Sequence, residues 1–175
     1  MIRLEKIANV IVILTCVVVL SSVGRNWYRS YTASQSNIHT GQLIKLPGQA
    51  LTGGPTLVLA LSVGCEFCHA SVPFYQKLAA FKNSSPGLRM VAVFPQSEVE
   101  ATAYLKKQGI AADAVVSLPL EQIAVRGTPT LFLLDGKSRV QKLWIGKLSD
   151  MREIELMASL KKACPGCSLA STASP

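Results

Sequence analysis

Four of the five cysteines fall in two pairs of identical spacing, Cys65-Glu66-Phe67-Cys68 and Cys164-Pro165-Gly166-Cys167. Two thiols separated by two residues can do three kinds of chemistry. If the first opens a helix, the second lies about one turn later, and the pair can cycle between dithiol and disulfide. With His69 the first pair also reads C-x-x-C-H, the attachment pattern of c-type haem. Both pairs together could supply four zinc ligands. A purely structural Cys65–Cys68 bridge would close a very small loop and stabilise little. The separation of the pairs and their strand context argue against zinc. The motif alone leaves redox exchange and haem attachment both open. Cys16 stands inside an apolar run after Thr15 and reads as a small apolar residue, not a lipid-attachment site.

The elements around Cys65 narrow the choice. Residues 56–61 are a short apolar run bounded by Pro55 and by Ser62 to Gly64, a pattern for a buried strand. Residues 65–82 carry Phe74, Leu78 and Phe81 at helical spacing. A thiol at such a strand-to-helix junction meets the unpaired N–H groups and positive end of the first turn, which favour the nucleophilic thiolate. Downstream, residues 88–94 read as a second strand, 98–108 as a helix ending at Gly109, and 114–118 as a short strand. Residues 130–134 and 140–145 flank Asp135-Gly136, a hairpin signal. Asp150 with Glu153 reads as a capping box opening the last helix. This order implies an α/β fold whose mixed central sheet is covered by helices.

The 175-residue chain carries a formal charge of +8. Its basic residues are scattered, without a run or an aromatic-interleaved motif, so nucleic acid is not an expected partner. Residues 7–23 are an apolar run flanked by basic residues, the short end of a transmembrane helix, with no clean cleavage site after it. The division expected is a membrane anchor or signal segment at 1–24, a polar linker at 25–40, one domain at 41–163, and a flexible tail at 164–175 with the second C-x-x-C.

From about Gly41 to Lys162 the sequence resembles the thioredoxin superfamily. Three features carry the likeness: the run from Thr56 to Cys68, Pro73 eight residues after Cys65, and Val125-Arg126-Gly127-Thr128-Pro129-Thr130. Within the superfamily it is most similar to the membrane-anchored TlpA/ResA-like thiol–disulfide oxidoreductases. They share the anchor, a proline- and glycine-containing lead-in, and an acid inside the C-x-x-C. The resemblance implies a thioredoxin-like fold after an N-terminal transmembrane helix, with Cys65 as nucleophile and Cys68 as resolving thiol. It makes Thr128 and a cis Pro129 the wall of the substrate groove. It also implies an inner-membrane protein whose catalytic domain faces the periplasm, reducing protein disulfides without a cofactor. Its partners would be disulfide- or thiol-bearing extracytoplasmic proteins, apocytochromes among them, a membrane electron donor, and the bilayer through residues 7–23.

Two family positions differ. The tryptophan before the first cysteine is Gly64 here, and the buried acid six residues before it is Leu59, which leaves the proton acceptor for Cys68 unassigned. Glu66 is a candidate modulator, its charge opposing ionisation of Cys65. In this context haem attachment recedes, and Met90, Met151 and Met157 read as core rather than axial ligands. The alternatives to a reductase are an oxidase or isomerase of the DsbA/DsbC kind, or a non-catalytic module that binds thiol proteins. Cys164 and Cys167 form a candidate secondary dithiol, with a local tail disulfide as the simpler reading.

Overall fold

The computed structural model describes residues 14–15, 38–48 and 53–164. The chain divides into two compact units, residues 1–35 and 36–175. Of the first unit only Leu14 and Thr15 are described, both helical. The apolar run at 7–23 otherwise lies outside the described residues. Among the described residues no helix is long and apolar enough to cross a membrane.

The second unit is built on a five-stranded mixed sheet in the order β3-β2-β1-β4-β5. The strands are β1 (Thr56–Ala60), β2 (Arg89–Phe94), β3 (Ala114–Ser117), β4 (Thr130–Leu134) and β5 (Val140–Ile145). β1, β2 and β3 run parallel, whereas β4 pairs antiparallel with both β1 and β5. Parallel neighbours need crossover connections, and these are helical. α1 (Glu66–Ala70) and α2 (Val72–Asn83) join β1 to β2, and α3 (Glu98–Lys107) joins β2 to β3. Successive right-handed crossovers stepping the same way along a sheet lie on one face. Accordingly α2, α3 and the last helix, α4 (Asp150–Ala163), bury Leu78, Leu105 and Leu156 in a single cluster.

Alternation along β1 serves both sides. Leu57 and Leu59 enter the helix-side core, and Val58 and Ala60 enter a second one. That second core is closed by Ile38, Ile44 and Leu46 and by Leu120, Ile123 and Val125. Ile38, placed by composition in the polar linker, is thus 3% exposed. Strands buried on both faces read as continuous apolar runs, which is why β1 and β4 carry no polar alternation.

Three local expectations need correction. The helix expected over 65–82 is broken at Ser71. Pro73 lacks the N–H that would bond back one turn, so α2 restarts with the proline in its first turn. The capping box is not at Asp150 and Glu153. The N-cap of α4 is Ser149, without a side-chain cap bond. The box is formed by Ser97 and Glu100 at the start of α3. Finally, Asp135 and Gly136 do not make a two-residue turn. The strands end at Leu134 and resume at Val140. Asp135 Oδ1 accepts the N–H groups of Lys137 and Arg139 at 2.8 and 2.9 Å, folding a longer loop in which Ser138 takes φ 63°.

Candidate active site

β1 delivers the chain through Ser62 to Gly64 into α1, and Cys65 is the N-cap of that helix. In this structure Cys65 and Cys68 are free thiols. Cys65 Sγ accepts the Cys68 N–H at 3.1 Å, the role an N-cap oxygen ordinarily fills. Its own S–H donates to the Thr128 carbonyl at 3.3 Å. Once the proton leaves, the Cys68 N–H remains aimed at the sulfur and the helix end adds its positive field. Cys65 is half-buried, so a disulfide can reach it.

Cys68 is 0% exposed. Burial pushes its thiol well above the usual range, reinforced by the hydrogen bond with Cys65 and opposed by the Ser62 backbone. The two sulfurs therefore differ in access: Cys65 is half-buried and Cys68 is wholly enclosed.

The facing wall comes from the far side of the sheet. A short 3₁₀ turn over Leu120–Ile123 ends at Ala124 with φ 58° and leads into the loop before β4. There the Thr128–Pro129 bond is cis and Pro129 is buried. Thr130 Oγ1 donates to the Gly127 carbonyl at 2.7 Å, closing the turn. Antiparallel pairing of Ala60 with Thr130 places this loop beside Cys65.

Two positioning contacts escaped the sequence reading. Gln96, just past β2, donates from Nε2 to Ser62 Oγ at 2.9 Å and accepts the Val63 N–H at 3.3 Å. It ties the loop before Cys65 to the neighbouring strand end. His69 Nε2 lies 2.9 Å from the Val63 carbonyl, and its ring meets Tyr104 edge-on at 5.2 Å. The histidine of the C-x-x-C-H pattern is thus engaged in holding the same loop. Gln96 carries no local motif, and only the fold brings it across 34 residues of chain.

Of the other expected residues, Glu66 is exposed in the first turn of α1. Phe67, also exposed at 59%, adds an apolar rim beside the dithiol. Cys164 caps α4, is buried, and is disulfide-bonded, so it is not a free thiol here. Cys167 lies outside the described residues. Met90 is buried and Met157 packs against the same core, but Met151, expected in the core, is 75% exposed on the outer face of α4. Among the described residues, no group of three or more His, Cys, Asp or Glu side chains could hold a metal ion.

No family model matches the chain, and no curated protein matches its sequence. Its fold does match solved structures. A Chlorobium tepidum protein described as thiol:disulfide interchange protein DsbE superposes with a TM-score of 0.58 at 22% identity, over 73% of this chain and 99% of that one. A thiol:disulfide interchange protein from Bacteroides sp. gives 0.54 at 20% identity, over 77% and 96%. A secreted disulfide oxidoreductase of Mycobacterium tuberculosis, homologous to DsbE of E. coli, gives 0.51 at 17% identity, over 64% and 84%. The domain has the thioredoxin-like fold seen in thiol:disulfide interchange proteins.

Proposed function

We propose that this protein is an extracytoplasmic thiol–disulfide oxidoreductase that reduces protein disulfides through Cys65 and Cys68. The observation that carries the reading is the asymmetry of the two thiols. Cys65 is accessible, capped by the Cys68 N–H and faced by the Thr128 carbonyl, whereas Cys68 is wholly buried one turn behind it. Cys65 thiolate attacks one sulfur of a substrate disulfide, forming a mixed disulfide and expelling the other sulfur as a thiolate. Cys68, deprotonated, then attacks Cys65 Sγ, closing the Cys65–Cys68 disulfide and releasing the second substrate thiolate. Two electrons pass to the substrate, and the two protons of the dithiol end on its two thiols. A membrane electron donor restores the dithiol.

Thr128 and Pro129 form the substrate wall, and Glu66, in the first turn, modulates Cys65. The domain, over about residues 41–163, is held outside the cytoplasmic membrane by residues 7–23. The apolar character of that run and the secreted nature of the Mycobacterium neighbour support this placement. Apocytochromes fit the substrate class, as proteins that present thiol pairs.

The test is a Cys68→Ala variant expressed in its own host. It should accumulate mixed disulfides through Cys65 that reductant releases, and Cys65→Ser should not. Absence of any Cys65-dependent adduct refutes dithiol exchange. A reduction potential near the strongly oxidising end would reverse the direction and make the protein an oxidase.

A further inference from the structure

The helices of the second unit carry acids where they begin and bases where they end, and the sheet decides where those ends lie. α1 opens beyond β1 with Glu66, and α3 opens beyond β2 with Glu98 and Glu100. α4 opens with Asp150 and Glu153, shortly after Gly146, whose N–H donates to the Pro129 carbonyl at 2.8 Å. All three starts therefore lie at the dithiol end of the sheet. Arg126, Lys147 and Arg152 are the exposed cations among them.

The opposite end is basic. α3 ends with Lys106 and Lys107, and the chain then meets the start of β2, where the Asp113 N–H donates to the Met90 carbonyl at 2.8 Å. α4 ends with Lys161 and Lys162. Its direction is fixed by Lys142 and Glu155, 3.3 Å apart, which set the middle of α4 beside the first half of β5. At 1.5 Å per residue, Lys161 then lies about 9 Å further from the dithiol end than Glu155. The loop between β4 and β5 adds Lys137 and Arg139, and all six cations are exposed. The acids at this end are engaged. Asp135 accepts the backbone N–H groups of Arg139 and Lys137, and Asp113 is paired with Lys82. Basic last turns complement the helix dipole and need no further reason. The loop between β4 and β5 has no dipole to complement, yet it brings two more cations to the same end. Five strands about 4.8 Å apart make this one face about 19 Å wide. The N-terminal side of the domain is attached here as well. The Gly41 N–H donates to the Val140 carbonyl at 2.7 Å, and Arg139 Nη1 donates to the Gly41 carbonyl at 3.1 Å.

We propose that this basic end docks on the anionic headgroups of a lipid bilayer and turns the dithiol toward the aqueous side. The proposal extends the tethering through residues 7–23 proposed above and does not depend on the redox chemistry. An anionic surface attracts exposed Lys and Arg within a Debye length, about 10 Å at 0.1 M salt. The same field repels the acids around Cys65, so the bilayer holds one end of the domain and pushes the other away. A protein substrate then meets Cys65 from the open side, and the cations are spent on the surface rather than on the substrate.

The test reconstitutes the full chain into vesicles of phosphatidylcholine alone or of phosphatidylcholine mixed with phosphatidylglycerol. A membrane-impermeant amine reagent acylates the lysines, and mass spectrometry reads each site. With the anionic vesicles at low salt, acylation of Lys106, Lys107, Lys137, Lys161 and Lys162 should slow at least about threefold, while Lys147, at the dithiol end, stays unchanged. About 1 M salt, with a Debye length of about 3 Å, should abolish the difference. In Lys106→Gln/Lys107→Gln/Lys161→Gln/Lys162→Gln the protection of Lys137 should disappear. If that variant does not fold, Lys106→Gln/Lys107→Gln is read in the same way and should weaken it. Equal acylation in the two vesicle types overturns the proposal, as does equal protection of Lys147. Protection by soluble polyaspartate but not by the anionic vesicles also overturns it and assigns the face to an acidic protein. Flotation with the neutral vesicles reads the tether separately. A chain that floats only with anionic vesicles, and is released by salt, supports docking while overturning the tether.

Discussion

Burial of Cys68 makes stability of the dithiol form depend on pH above the ordinary thiol range. An unfolded Cys68 ionises around 9.0, whereas burial, helped by the bond with Cys65, keeps the folded thiol protonated far beyond that. Above about pH 9 the unfolded chain therefore binds fewer protons than the native one, and unfolding free energy falls as pH rises. The contribution is fully present below 9.0 and declines as pH climbs toward the folded value. The slope approaches about 1.4 kcal/mol per pH unit, which removes about 1.4 kcal/mol by about pH 10. The measurement is urea denaturation under anaerobic reducing conditions at about pH 7 and about pH 10, for wild type and Cys68→Ala. Loss of the sulfur lowers stability of the variant by an amount that does not vary with pH. Lysines and tyrosines titrate in both proteins and cancel in the difference. Wild type should lose about 1–1.5 kcal/mol more than the variant over that interval. If the two proteins lose the same amount, Cys68 is not protonated in the native state at high pH, and the account of its burial is wrong.

Gln96→Ala leaves the half-buried Val63 N–H and the Ser62 hydroxyl without their partner. It should cost about 1–3 kcal/mol in chemical denaturation and alter the iodoacetamide alkylation rate of Cys65. An unchanged midpoint and rate would show that the loop holds itself. Ser97→Ala removes the side-chain half of the α3 capping box and leaves the Glu100 carboxylate on the backbone N–H of residue 97; it should lower stability by about 1 kcal/mol, read as a drop in Tm, without affecting exchange kinetics. Phe67→Ser exchanges an exposed apolar rim for a polar one. Stability should hold within about 0.5 kcal/mol, and KM for a protein disulfide should rise while the rate with a small aromatic disulfide does not. A parallel change in both substrates would remove Phe67 from substrate recognition.

Much of this molecule is legible one segment at a time. Apolar runs at 56–60, 89–94 and 130–134 specify strands buried on both faces, because a strand with no solvent face has no reason to alternate. The placement of Cys65 between strand and helix follows from residue types whose backbone preferences are local, whereas Thr128 and Pro129 were legible only through the resemblance to the thioredoxin superfamily. Local signals also misled where phase mattered. Asp150 and Glu153 have capping-box spacing, but the chain enters α4 at Ser149, so the residue three positions on is Arg152, which has no acceptor to return. A one-residue shift is invisible to a pattern and decisive for a hydrogen bond.

What the sequence determined by itself, then, was the chemistry available: two thiols at helical spacing after a buried strand. Only the tertiary structure decided how that chemistry is divided. The Thr128 carbonyl reaches Cys65 across 63 residues, and Gln96 reaches Ser62 across 34, because sheet order sets β2 and β4 on either side of β1. The same packing buries Cys68 in the helix-side core while leaving Cys65 half-exposed. Exposure and through-space neighbours are properties of packed layers rather than of residue order, so the difference in access between the two sulfurs exists only once α1 docks on the sheet.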